Sequence, residues 1–203
     1  MARIETEDQL RELYARPKGR PLTKQLDRLE THCRRFISLS PFLVLSTSAS
    51  GELSDASPRG EEPGFVKVLD DQRIAIPDRP GNNRLDSLTN ILEFPGVGLL
   101  FLIPGVDETL RINGTAEIRD DQDLLDIFEV NGRKPKTVLV VHVKEVYLHC
   151  AKALMRSKLW DVDAQIDRDE LPSMSQMINE QTKSDLPLES QEDMKKRYKA
   201  VLY

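Results

Sequence analysis

From Phe42 to Leu148 the chain reads as a succession of β-strands joined by short turns, and helices interrupt it only twice. Phe42 to Thr47 is rich in β-formers, Ser50-Gly51-Glu52 is a turn, and Ser54 to Arg59 reads as the returning strand. After the loop Gly60 to Gly64, Phe65 to Leu69 and Arg73 to Ile76 make a hairpin around Asp70-Asp71-Gln72. Val97 to Ile103 is almost continuously apolar, the pattern of a strand buried on both faces. From Thr109 to Arg119 alternation returns, with Leu110, Ile112, Gly114, Ala116 and Ile118 on one face, and Thr137 to Leu148 is the longest strand. Parallel strands need a long crossover between each pair, and six or seven strands with hairpin-like connections do not supply them. The chain is therefore expected to be mainly β with peripheral helices, built as an antiparallel barrel.

The flanks are helical. Thr6 to Arg16 opens with Thr6 and Gln9 at capping-box spacing and stops at Pro17-Lys18-Gly19. A second helix is expected from Leu22 to Ile37, with Leu22, Leu26, Leu29, Cys33 and Phe36 forming one apolar stripe. Between them, a helix should follow the turn at residues 78–83 and end near Pro95-Gly96, and a short one should run from Asp121 to Val130. After Ala151, a helical turn over Ala153 to Asp161 carries Met155, Leu159 and Trp160. Beyond it lie two weaker helices, Ser173 to Gln181 and Ser190 to Val201, separated by Leu186-Pro187-Leu188. The division is an N-terminal helical segment (1–40), a β domain (41–160) and a polar C-terminal helical tail (161–203) too polar for its own core. The tail is expected to wrap the domain or a partner subunit.

Charge limits the partners. With 29 basic and 34 acidic residues the net charge is −5, which argues against bulk nucleic-acid binding. The two cysteines, Cys33 and Cys150, lie far apart in apolar contexts and read as buried thiols of a reducing compartment. The first residues are charged, with no signal-peptide core, and no apolar run approaches the roughly 20 residues of a membrane span. These features predict a cytoplasmic protein with no membrane or nucleic-acid partner.

Any anionic ligand must then be held by a local cluster of cations, and one stretch offers it: Asp78-Arg79-Pro80-Gly81-Asn82-Asn83-Arg84-Leu85-Asp86. An apolar strand enters, a Pro-Gly turn reverses the chain, and a helix is expected to begin at Asn82 or Asn83. Unpaired N–H groups at a helix start attract anions, and arginine matches a phosphate with two charge-assisted hydrogen bonds. The same residues read equally as a turn and helix cap with two solvated arginines. His149-Cys150 lacks further ligands at metal spacing and reads as structural, with no metal site. His142 reads as a hydrogen-bonded core or interface residue, and Lys195-Lys196-Arg197 as the exposed face of a terminal helix.

Several segments together carry a family pattern: Ser57-Pro58-Arg59-Gly60, Pro63-Gly64-Phe65-Val66, Ile76 to Arg84, Glu108 to Gly114, His149 to Ala153, and Arg156-Ser157 with Leu159-Trp160. Over roughly residues 40–160 the sequence resembles the pyridoxamine 5′-phosphate oxidase-related, FMN-binding split-barrel family. The resemblance implies an antiparallel six-stranded split barrel that forms a homodimer, with FMN in each of two intersubunit clefts. By the same resemblance Arg59, Phe65 and Val66 flank the flavin ring, and Arg79, Asn82, Asn83 and Arg84 grip the ribityl phosphate. Arg111 lies on a strand facing the subunit interface, and Arg156, Ser157 and Trp160 match the segment that reaches the cofactor from the other subunit. Strand backbone at Val66 to Val68 is a candidate for hydrogen bonds to the ring's pyrimidine edge. The oxidases carry an Arg-X-His near the C-terminus that helps bind their substrate, whereas here the stretch reads Arg156-Ser157-Lys158-Leu159-Trp160. Flavin binding is thus expected without commitment to pyridoxamine phosphate as substrate.

The functional expectation is an oxidoreductase acting on a small molecule by two-electron transfer through FMN. Its alternatives are a non-catalytic flavin- or haem-binding carrier or sensor, and a scaffold with no ligand. No Gly-rich dinucleotide fingerprint occurs, so NAD(P)H as a reductant would have to stack transiently in the flavin cleft.

Overall fold

The structure, a computed structural model, describes residues 3–49, 53–200 and 202. The expected turn Ser50-Gly51-Glu52 and Val201, the last residue of the expected terminal helix, lie outside them. Within them seven strands form one sheet: β1 (Phe42–Ser48), β2 (Ser54–Gly60), β3 (Lys67–Val68), β4 (Arg73–Asp78), β5 (Gly96–Ile103), β6 (Val106–Arg119) and β7 (Thr137–His149). Their order is β2-β1-β5-β6-β7-β4-β3, and every neighbouring pair is antiparallel. The mainly β, antiparallel reading therefore holds. The sheet has seven strands, within the six or seven counted from sequence and one more than the six the resemblance implies, and the strand expected over Phe65 to Leu69 pairs only at Lys67–Val68. Among the described residues no backbone ladder joins β2 to β3 or β4, so in its hydrogen bonding the sheet is open.

The core lies on one face of this sheet. Leu43, Leu45, Leu99, Phe101, Leu110 and Ile112 are all at most 3 % exposed and, apart from the buried Thr109 beside Leu110, alternate with more exposed neighbours. Contrary to expectation, β5 is buried on one face only. Two strands are buried on both faces, β4 and β7: Ile74 and Ile76 of β4 and Leu139 and Val141 of β7 join the main core. On the other face Val138 and Val140 of β7 pack with Ala75 of β4 and Phe128, beside α5 (Gln122–Asp126). A bulge at Asn113/Gly114 shifts the β6–β7 register, and a Cβ on Gly114 would stand 2.1 Å from the His142 carbonyl oxygen. Only glycine lets the two strands approach so closely.

The expected helix over Leu22 to Ile37 is two pieces, α2 (Arg20–Thr23) and α3 (Thr31–Leu39). Between them Leu26 leaves the helical path to exchange two backbone hydrogen bonds with Val146, and Glu30 restarts the helix by accepting from His32 N and Cys33 N, both at 2.8 Å. The buried stripe shrinks to Leu29, Cys33 and Ile37, while Leu22 and Leu26 are exposed. α1 (Glu7–Leu13) carries the expected Thr6/Gln9 capping box. After β7 come α6 (Lys152–Ser157), α7 (Met174–Thr182) and α8 (Gln191–Lys199), the last two capped by Ser173 and Ser190. None of these three helices buries a residue. Cys150, expected buried, is exposed. His142 is half-exposed, its Nε2 3.6 Å from a Glu117 carboxylate oxygen, and so stands outside the core.

Candidate functional site

The turn after β4 departs from its expected form. Asn82 Oδ1 accepts from Arg84 N at 3.0 Å, an Asx turn that competes with helix formation. Helix α4 (Asp86–Glu93) therefore starts three or four residues later than Asn82 or Asn83. Its N-cap is Leu85, which supplies no side-chain hydrogen bond. Asn83 and Leu85 both have φ of 60°, the left-handed region. Asparagine tolerates it through local hydrogen bonds, whereas leucine there costs roughly 1–2 kcal/mol. Strain of this kind is retained where surrounding structure enforces it, commonly at ligand sites.

A cleft of about 750 Å³ opens beside this turn, lined by β2, the end of β4, residues 79–85 and the first turn of α4. Pockets for small ligands commonly enclose about 300–1,000 Å³. Its walls belong to opposite sides of the sheet, because β2 is one edge strand and β4 lies next to the other edge. Side chains bridge them where the backbone does not. Arg59 Nη1 on β2 meets Asp78 Oδ1 on β4 at 2.6 Å, and Arg79 grips Glu61 bidentately at 2.7 and 2.9 Å. Both pairs are largely shielded, with side-chain exposures of 20 and 17 % and of 13 and 19 %. Ser87 on α4 donates to Asp55 at 2.8 Å, and Asn90 donates to Thr47 at 2.9 Å, which fastens α4 across β2 and β1.

Six of the residues singled out from sequence come together here: Arg59, Phe65, Arg79, Asn82, Asn83 and Arg84 all line the cleft. Phe65, 7 % exposed, gives it an apolar wall. Arg84 stands at the mouth, 72 % exposed, and its Nε donates to Asp86 at 2.8 Å. That hydrogen bond and the carboxylate charge raise its pKa above the ordinary guanidinium value. Five residues do not line the cleft. Val66 is 3 % exposed and belongs to the core. Arg111 packs over Tyr147, 5.3 Å from the ring centroid. Arg156 lies in the last turn of α6, Ser157 Oγ donates back to Leu154 O, and Trp160 Nε1 donates to Val106 O at 3.0 Å.

The sequence reading missed other lining residues. Asp55, Glu61, Asp78 and Asp86 bring four carboxylates into a cleft whose cations are Arg59, Arg79, Arg84 and Lys136. Lys136 and Thr137 arrive only through the pairing of β4 with β7, where Asp78 is opposite Thr137. No local motif marks them. Among the described residues two buried side-chain atoms lack a hydrogen-bond partner, Arg59 Nε and Thr137 Oγ1, and both belong to cleft-lining residues. Buried polar atoms are nearly always paired, and these two, though in residues that line the cleft, have almost no surface of their own open to it. Among the described residues no group of three or more His, Cys, Asp or Glu could hold a metal ion, and no helix is long and apolar enough to cross a membrane.

Comparison with known structures finds similar chain courses in HupZ of Group A Streptococcus (17 % identity, 59 % of this chain and 92 % of that one, TM-score 0.48). An FMN-binding protein from Syntrophomonas wolfei is similar at 12 % identity (58 % and 83 % covered, TM-score 0.47), and an FAD binding protein from Mycobacterium smegmatis at 13 % (61 % and 97 %, TM-score 0.42). At such identities and scores none of them assigns a role to a residue here. No curated protein matches the chain. The family model of pyridoxamine 5′-phosphate oxidase matches residues 29–150, which span every strand and the whole cleft. The chain belongs to the pyridoxamine 5′-phosphate oxidase family.

Proposed function

We propose that the chain is an FMN-binding oxidoreductase acting on a small molecule, in which the cleft between β2 and β4 holds the cofactor. The observation that carries this reading is the gathering of Arg59, Phe65, Arg79, Asn82, Asn83 and Arg84 around one cleft of about 750 Å³, with Arg59 Nε buried and partnerless beside it. The donor set suits the group: guanidinium forks and asparagine amides for a phosphate dianion, and a phenylalanine wall for an aromatic ring. When bound, FMN supplies the two-electron chemistry. The chain's part is to bind, orient and exclude water. Arg84, exposed and held only by a neighbouring carboxylate, exchanges Asp86 for a phosphate oxygen. Arg79 and Arg59, shielded and paired across the gap, hold its walls at a fixed separation.

The homodimer and the split barrel belong to the same proposal. On the outer face of the sheet the register lines up Val44, Leu100, Arg111 and Tyr147 across four strands, half-buried and partly apolar. This face is the proposed contact with a second copy. Arg156, Ser157 and Trp160, which do not line the cleft of their own chain, would then serve that of the second copy. Purified protein is expected to be yellow, with about one flavin per chain, and sedimentation should give twice the chain mass. A colourless protein that takes up no added FMN overturns the reading. Bleaching of the bound flavin by NADH or NADPH, with recovery on adding an electron acceptor, separates an oxidoreductase from a carrier or sensor.

A further inference from the structure

The two terminal segments leave the sheet at one end and carry opposite charge. On the N-terminal side, residues 14–26 contain Arg16, Lys18, Arg20 and Lys24 and no acidic residue. This segment is fixed to the end of β7, where Leu26 exchanges two backbone hydrogen bonds with Val146 and Lys24 Nζ donates to Leu148 O at 2.7 Å. On the C-terminal side, residues 161–170 contain Asp161, Asp163, Asp167, Asp169 and Glu170 against Arg168 alone. They follow Trp160, whose indole is held by Val106 O at the start of β6. Thr109, further along β6, is opposite His149, so the two segments flank one end of the β6–β7 pair. Within one chain their charges do not meet: all these acidic and basic side chains are exposed, and among the described residues none of the four cations or five carboxylates has an ion pair. The tail beyond is equally without a host. Residues 161–200 bury no side chain, and among the described residues no hydrogen bond or ion pair links 162–200 to the sheet. The tail is tied to itself instead: Glu189 grips Arg197 bidentately, both contacts at 2.8 Å, and Asn179 Nδ2 donates to Leu186 O at 2.6 Å. Leu171, Met174 and Ile178, at the three- and four-residue spacing of one helical stripe, stay exposed, as do Tyr14 and Leu22 on the basic segment.

We infer that residues 161–178 of one copy of the chain dock on residues 14–26 of a second copy. The carboxylates of the first meet Arg16, Lys18, Arg20 and Lys24 of the other, and Leu171, Met174 and Ile178 cover Tyr14 and Leu22. Symmetry is the reason the occupant is this chain. In a two-fold dimer, a patch that meets a different patch on its partner does so twice, so an acidic and a basic segment at one end of the same sheet satisfy each other reciprocally. Lys24 also stands 5.3 Å from the ring centroid of Tyr147, on the outer face already proposed as the contact with a second copy. The inference rests on that homodimer and adds which segments lock it. Opposite charge orients the two segments and disfavours wrong registers, while the apolar residues gain by leaving water.

Two full-length variants test this by sedimentation equilibrium over a dilution series at low salt. One reverses the basic segment (Arg16→Glu, Lys18→Glu, Arg20→Glu), and the other reverses the acidic one (Asp163→Lys, Asp169→Lys, Glu170→Lys). All of these side chains are exposed, so the denaturation midpoints should stay at the wild-type value. Each variant alone should dimerise about tenfold more weakly, because like charges then face each other in both contacts. An equimolar mixture of the two should recover the wild-type affinity, since both contacts of the mixed dimer again pair opposite charges. A mixture no tighter than either variant alone overturns the inference, because the segments then meet within one chain or not at all. Wild-type affinity in both variants overturns it too. Should a variant not fold, salt decides on the wild type: a dimer that weakens several-fold as ionic strength rises upholds the contact, and one indifferent to salt removes it. A wild type that stays monomeric at every concentration removes the homodimer and this inference together, whereas a stable wild-type dimer with an unrestored mixture removes this inference alone.

Discussion

Two seams of one sheet are built in opposite ways. Along the first, β6 and β7 are joined by a backbone ladder running from Thr109 opposite His149 to Arg119 opposite Val138, with apolar layers on both faces of β7. Along the second, β2 and β4 face each other with no ladder at all, and ion pairs of charged side chains span the gap. A ladder holds strands about 4.8 Å apart and leaves no space between them. Arginine–carboxylate bridges are longer, tolerate partial solvation, and keep the walls far enough apart for the cleft of about 750 Å³. The comparison teaches that folding and binding are divided by type of bond: backbone and apolar contacts hold the first seam, and charges hold the second at a ligand-sized separation.

The most direct way to break that contrast is to overfill the first seam. Gly114→Ala places a methyl group 2.1 Å from the His142 carbonyl oxygen, a backbone atom that cannot swing aside. A loss of about 3 kcal/mol or more is expected. Urea denaturation followed through Trp160, the single tryptophan, measures it. Retention of wild-type stability would mean the two strands are not clamped at the bulge.

The second seam should respond less, and through pairing. Arg79→Met leaves Glu61 shielded and without its fork, at an expected cost of about 1–3 kcal/mol. Arg79→Met combined with Glu61→Leu should recover most of that loss, because a shielded ion pair is often replaceable by apolar contact. The double variant should nevertheless bind FMN poorly. If the two single losses simply add, the bridge does not hold the walls.

Dryness offers a third test. Cys33, 4 % exposed on α3, has its thiol pKa pushed up to about 12, chiefly by burial and then by the Glu30 carboxylate beside it. The folded state thus favours the protonated thiol. Its contribution is complete below the unfolded-state value of 9.0 and is lost as pH rises toward about 12. The stability advantage of wild type over Cys33→Ala should shrink above pH 9 by up to about 1.4 kcal/mol per pH unit. Cys150, exposed, should react with a thiol reagent at neutral pH while Cys33 waits for unfolding. Fast reaction of both would mean that water reaches the core under α3.

What could be read from sequence follows the same division. Alternation in β1 and β6 and the turn residues between strands gave an antiparallel β domain, because each strand's burial pattern is local. The continuous apolar run of β5 misled: Leu100 and Leu102 face outward half-exposed, and nothing local distinguishes such a strand from β7. At the cleft, the turn with Arg79, Asn82, Asn83 and Arg84 was legible because its members are consecutive. Glu61 and Asp78 as partners of the arginines, and Lys136 and Thr137 as a second wall, were not, since their meeting depends on strand order and register. The helix start moved to Asp86 for another reason: Asn82 spends its side chain on the Arg84 amide, which a cap rule based on residue type does not foresee.

The smallest effect on folding should come from Arg84→Ala, and for that reason it separates the two seams best. Arg84 is 72 % exposed and tied only to Asp86, so its removal should leave the denaturation midpoint where it was. If a phosphate takes Asp86's place, the same change should weaken FMN about tenfold and leave riboflavin untouched. The effect should fade as salt rises, because the charge lies at the mouth of the cleft within reach of counter-ions. Unchanged FMN affinity would move the phosphate deeper, toward Arg79 and Lys136. A fall in stability would mean that Arg84 braces the left-handed turn at Asn83 and Leu85 instead of serving a ligand.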